Sequence, residues 1–146
     1  MPTTRLLLVR HGETIANREY RYIGARNEPL SAQGQMQATQ LAEALSVLPV
    51  AAVYSSPLHR AYGTALAIAA RHALEVQRVA DLRECDFGTW EGLTRAEAMS
   101  RSPEDARRLL DWERRCYHCT AGWRKLRGIA GACSSCGRTP GASASR

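Results

Sequence analysis

The sequence lacks any long apolar run. No stretch approaches the roughly 20 apolar residues that span a bilayer. The earliest apolar segment, Leu6–Val9, is short and is followed by Arg10, which does not fit a secretion signal. These absences predict a cytoplasmic chain with no membrane partner and with reduced cysteines. Internal repeats are lacking too. Acidic residues are missing from residues 114–146, which hold six Arg and one Lys. Residues 1–113 hold 13 Arg, 14 acidic residues and no Lys. The net charge of +6 is therefore a property of the tail, and nucleic acid is not expected as a partner of the near-neutral body. What is present fits one globular domain: 146 residues, 45% hydrophobic and 23% charged.

The body alternates strand and helix patterns. Arg5–Val9 is a continuous apolar run that predicts a buried parallel strand. Residues 12–30 read as a loop. Ser31 is a candidate N-cap for a helix carrying Ala38, Leu41, Ala42, Leu45 and Leu48, stopped by Pro49. Val50–Ser55 predicts a second strand. Ser56-Pro57 predicts the start of a helix with Leu58, Ala61, Tyr62, Ala65 and Ala69 on its apolar face. Leu74–Val79 predicts a third strand, 81–92 a loop, and 93–99 and 103–114 two more helices. The order implies an α/β fold with a mostly parallel sheet flanked by helices.

Three segments fall where such sheets bind ligands, beyond the carboxyl ends of strands. Arg10-His11-Gly12-Glu13-Thr14 joins a cation and an imidazole to a glycine that permits close approach, which suits an anion, and Asn17 adds an amide donor. A loop histidine beside an exposed arginine is the plainer reading. In Ser55–Ala61, Arg60 falls in the first turn of a helix, where free N–H groups and a guanidinium fork suit a phosphate; a solvated arginine is the alternative. In Leu82–Gly92, Glu84, Asp86 and Glu91 are each candidates for a general acid or base, and spacing does not choose among them. Cys85 reads as a packing residue.

Taken in order, Arg10–Thr14 with Asn17, Gly24, Pro29-Leu30-Ser31 with Gly34, Ser55–Leu58 with Arg60-Ala61 and Thr64-Ala65, then Leu82, Glu84, Gly88, Glu91 and Gly92 resemble the histidine phosphatase superfamily, the phosphoglycerate-mutase-like enzymes. The resemblance covers about residues 4–113. It implies that His11 is the nucleophile that becomes phosphohistidine. It implies that Arg10 and Arg60 bind the phosphoryl oxygens and that Glu84 is the acid and base. Gly12, Glu13, Thr14, Asn17, Ile23 and Gly24 would line the substrate pocket. The implied partner is a small phosphorylated substrate, hydrolysed or isomerised. No cofactor and no metal are implied. Arg21–Gly24 with Glu28–Ser31 is similar to the α-ribazole phosphatase-like branch.

The sequence also departs from that family. A second catalytic histidine, in a His-Gly turn after a later strand, has no counterpart; beyond Glu84 the chain has His118 alone, between Tyr117 and Cys119. The missing later strand predicts an unpaired apolar sheet edge. These departures support a second reading, an inactive phosphate-binding remnant with an incomplete domain over 1–113 and a disordered or frame-shifted tail over 114–146. Gly122–Leu126 reverse-translates as GGN TGG CGN AAR YTN, and one base later it can read Gly-Gly-Glu-Ser, which resembles the family at that point. A third reading takes Cys116, Cys119, Cys133 and Cys136 as a zinc-ribbon spacing and the tail as a zinc- or nucleic-acid-binding adaptor.

Overall fold

The computed structural model describes residues 4–101 and 103–104. They fall into two compact units, one of residues 4–19 with Ala25–Glu84 and one of Tyr20–Gly24 with the described residues from Cys85 onward.

The first unit is built on a strand–helix–strand crossover. A short helix, α1 (Ile15–Arg18), and a longer one, α2 (Ala32–Leu45), precede strand β1 (Val53–Ser55), helix α3 (His59–Arg71) and strand β2 (Val76–Arg78). β1 and β2 pair in parallel with Val53 opposite Val76, Tyr54 opposite Gln77 and Ser55 opposite Arg78. A parallel pair needs a long connection, and α3 supplies it. α3 packs on both strands and on α2. The core between the helices is made of small side chains. Ala38 and Ala42 of α2 are buried, as are Leu58, Ala65, Ile68 and Ala69. Small residues let two helix backbones approach closely, and α3 packs on both α2 and β1.

Ser31 starts α2 as expected, its hydroxyl accepting from Gly34 N at 3.0 Å. α3 ends at Arg71, where Ala73 takes a left-handed φ of +54° and Leu74 N donates back to Ala69 O at 3.1 Å, the geometry usually reserved for glycine.

The second unit centres on an aromatic cluster. Tyr22 lies 5.3 Å from Phe87 and 5.8 Å from Trp90 between ring centroids, with Leu93 and Ala98 packed alongside. Tyr22 N donates to Leu93 O and Gly92 N donates to Tyr22 O. Helix α4 (Arg95–Arg101) begins with a reciprocal cap: Thr94 Oγ1 accepts from Glu97 N at 3.3 Å, and Glu97 Oε2 accepts from Thr94 N at 2.8 Å.

The α/β reading holds, with corrections in its elements. Arg5–Val9 is not a strand: Leu6, Leu7, Leu8 and Val9 are all exposed. The ladder among the described residues runs between β1 and β2 only, and an apolar run specifies a wish for burial without naming the neighbour that pairs with it. The α2 helix stops at Leu45 rather than at Pro49, with a tighter turn closing on Leu48. α3 starts at His59, with Leu58 as its cap residue. Ser56 sits two residues earlier, its hydroxyl accepting from Leu58 N at 3.3 Å. The expected strands 50–55 and 74–79 shrink to three residues each. The loop over 81–92 contains a 3-10 turn at Gly88–Trp90. Most of the helix expected over 103–114 and the whole tail, with His118 and its four cysteines, lie outside the described residues.

Candidate active site

His11 ends the segment that runs into α1. Its Nδ1 lies 2.7 Å from Gly12 O, which fixes Nδ1 as the protonated nitrogen, since a carbonyl only accepts. Nε2 then carries the lone pair, and it accepts from Arg60 Nε at 3.2 Å. Both bonds point to one tautomer, a neutral imidazole whose unprotonated nitrogen faces a guanidinium. The causes acting on its titration agree. Burial, the largest, pushes His11 below its ordinary 6.5; the Gly12 carbonyl opposes this, Arg60 and Arg10 push further down, and Glu84 pulls up. Arg10 and Glu84 are both exposed.

Arg60 is the second residue of α3 and is 3% exposed. A cation in the first turn is disfavoured by the helix dipole and by burial, so its place needs explaining. Its Nη1 donates to Arg26 O at 2.7 Å. The neighbouring Asn27 Oδ1 accepts from His59 N, the first amide of α3, at 2.6 Å. The segment Arg26-Asn27 thus caps the helix and clamps the arginine together. One turn along α3, buried Thr64 accepts from Gly12 N at 3.1 Å and donates to Arg60 O at 2.9 Å. His11, Gly12, Arg60 and Thr64 form one connected network.

The chain itself gives Gly12 a reason to be glycine. A Cβ on it would collide with the Gly34 carbonyl, and a Cβ on Gly34 would collide with the Glu13 carbonyl. The histidine loop lies directly against the first turn of α2, and Ser31 N donates to Glu13 O at 2.8 Å to hold it there.

The remaining expected residues make contacts within the chain. The Glu13 carboxylate accepts from Ser31 Oγ at 2.8 Å and pairs with Arg18 at 3.4 Å. Thr14 is fully buried and caps α1. Asn17 Oδ1 accepts from Thr14 N and Oγ1, both at 3.0 Å, which leaves its NH2 group as the donor for other partners. Ile23 and Gly24 belong to the second unit, where both are buried. Gly24 has φ +51°, and a Cβ there would meet Phe87, Cys85 and Glu91, so only glycine fits. Sequence reasoning missed Thr64 as a site residue, although its i+4 spacing from Arg60 places it on the same helix face. It also missed Arg26 and Asn27, whose roles depend on a fold-back that no local pattern announces.

Comparison with known proteins finds relatives for most of the chain. A profile described as histidine phosphatase superfamily (branch 1) matches residues 6–123. A bifunctional protein of Mycobacterium tuberculosis is 50% identical over 108 residues, 73% of this chain and 30% of that protein. Phosphoserine phosphatase 1 of Hydrogenobacter thermophilus is 43% identical over 107 residues, 73% of this chain and 51% of that enzyme. The structure of mycobacterial glucosyl-3-phosphoglycerate phosphatase with VO3 superposes with a TM-score of 0.61 at 38% identity, covering 64% of this chain and 46% of that one. The chain thus spans about half, or less, of the length of these relatives.

Proposed function

The chain belongs to the histidine phosphatase superfamily, and on that premise we propose that it is a phosphomonoester hydrolase working through a phosphohistidine at His11 Nε2. The observation that carries this reading is the tautomer of His11: neutral, protonated on Nδ1, with the Nε2 lone pair against Arg60. A neutral imidazole below its ordinary pKa is a nucleophile at pH 7. The phosphatase names of the relatives, and the solution of one of them with VO3 and with inorganic phosphate, support the same chemistry.

In the proposed reaction the phosphoryl group takes the place of the Arg60–His11 contact. Arg60 and Arg10 then hold its equatorial oxygens, whose charge their guanidinium forks match. Nε2 attacks phosphorus as the ester P–O bond breaks, and Glu84 gives its proton to the leaving oxygen. Glu84 next takes a proton from water. The resulting nucleophile attacks phosphorus, the N–P bond breaks, and His11 and inorganic phosphate are released. The Gly12 carbonyl keeps Nδ1 protonated throughout and stabilises the charge that develops on the ring. Asn17, through its NH2 group, adds a donor to the phosphate. The α-ribazole phosphatase-like character of residues 21–31 and the phosphoserine and glucosyl-phosphoglycerate phosphatases among the relatives set the substrates to try.

The test is hydrolysis of a panel of such esters by the full chain. His11→Ala and Arg60→Gln should each lower kcat/KM by at least about a hundredfold. Unchanged turnover in His11→Ala would remove the nucleophile from the proposal.

A further inference from the structure

We propose that Gln37 is a positioning residue for His11: by accepting from Glu13 N it orients and polarises the Gly12–Glu13 peptide, whose carbonyl holds His11 Nδ1. This rests on the phosphatase reading above.

Gln37 lies on α2 one turn beyond Gly34, and residues three apart share a helix face. Gly34 is the residue whose backbone lies against Gly12, so this face of α2 meets the histidine loop. Gln37 Oε1 accepts from Glu13 N at 2.9 Å. An N–H requires an acceptor, so the carbonyl end of the side-chain amide faces the loop. In a planar trans peptide the C=O and the N–H point to opposite sides. Fixing Glu13 N therefore also fixes where Gly12 O points, and Gly12 O lies 2.7 Å from His11 Nδ1. One hydrogen-bonded chain runs from the imidazole through this peptide to Gln37.

The neighbouring peptides are held by other residues. Gly12 N, in the preceding plane, donates to Thr64 Oγ1 at 3.1 Å. Glu13 O, in the following plane, accepts from Ser31 N at 2.8 Å. The middle plane carries the carbonyl that meets the ring, and its N–H is the one Gln37 takes. An amide whose N–H donates becomes a stronger acceptor at its own C=O. As Nε2 bonds to phosphorus, positive charge develops on the ring and the Nδ1–H bond to Gly12 O strengthens. Gln37 stabilises that charge without touching the ring. The direction is fixed by the same carbonyl, which favours the protonated imidazole against burial.

The experiment is an NMR titration of the His11 imidazole in the full chain and in its Gln37→Met and Gln37→Glu variants. Methionine keeps the length and removes the acceptor; glutamate keeps an acceptor and strengthens it. Position 37 is exposed and all three residues are good helix formers, so the fold is not at stake. The titration is run in about 1 M salt, where the screening length is about 3 Å, so that the glutamate charge acts through the hydrogen bond and not through space. Arg60, Arg10 and Glu84, whose charges act on the ring, are the same in every chain. Gln37→Met should lower the His11 midpoint by roughly 0.3–0.5 of a unit, and Gln37→Glu should raise it above that of the parent chain. A residue that only braces the loop would let glutamate match the parent at best. A midpoint in Gln37→Met no lower than the parent's, or one in Gln37→Glu no higher, would overturn the proposal. Turnover of a phosphomonoester tests the phosphatase reading separately, with kcat in Gln37→Met expected to fall roughly threefold at unchanged KM. If the order of midpoints holds and no chain turns over, the reaction is refuted and the role of Gln37 on the ring stands. If turnover occurs and the order fails, the reaction stands and the role of Gln37 is refuted.

Discussion

Replacing Thr64 with valine keeps the shape of a buried side chain and removes one hydroxyl. That hydroxyl accepts from Gly12 N at 3.1 Å and donates to Arg60 O at 2.9 Å. The two partners are not equally affected. Arg60 O sits inside α3 and keeps its helical bond to residue 64. Gly12 N is buried in the histidine loop and keeps nothing. Stranding a buried N–H costs about 1–3 kcal/mol. Valine and threonine have nearly equal helix propensity, so the helix offers little offset, while the lost desolvation of the hydroxyl returns a little. The net expectation is about 1–2 kcal/mol of stability lost. Urea unfolding should show this as a lower midpoint at an unchanged m-value. Thr64→Ser keeps the hydroxyl and should retain the bond, losing only what the missing methyl contributes. If Thr64→Val stays within about 0.5 kcal/mol of the parent chain, or Thr64→Ser falls as far as Thr64→Val, the Gly12 amide is not held as described and the reasoning fails.

Other expectations follow from the same network. Gly34→Ala pushes a methyl into the Glu13 carbonyl, where backbone has to move; a loss of about 2 kcal/mol or more in urea unfolding is expected, together with a fall in turnover as the His11 loop shifts. Asn27→Ala removes the acceptor for His59 N and should cost about 1 kcal/mol, while Asn27→Asp, which also accepts there, should recover it; equal losses in both variants would contradict the capping role. Since His11 is held below its ordinary 6.5, the unfolded chain binds its proton first as pH falls. Its contribution to stability is present above pH 6.5 and lost as pH falls through the folded value, and the acid limb of kcat/KM should lie below 6.5 and move upward in Arg60→Gln.

The sequence made some of this legible and concealed the rest for physical reasons. Ser31 was readable as a cap because a hydroxyl before a periodic apolar face has one common use. Arg60 was readable in the first turn of a helix because Ser56-Pro57 announces one nearby, although the cap is Leu58 and the first amide is held by Asn27, 32 residues away in sequence. Such a partner depends on tertiary fold-back, which no window detects. Arg5–Val9 misled because a strand is a property of a ladder, and composition describes one side of it. Close backbone approach at Gly12 was readable, and the approach the structure shows is that of Gly34 of the same chain, a partner that no local pattern names.

The central claim is that His11 becomes phosphorylated on Nε2. The most direct measurement is a rapid acid-free quench of the full chain mixed with a 32P-labelled phosphomonoester, followed by peptide mapping. The account predicts a label that is lost in acid, survives alkali, maps to the peptide containing His11 and is absent from His11→Ala. Turnover by a folded chain with no acid-labile label at any time point, or a label that persists in His11→Ala, would contradict it.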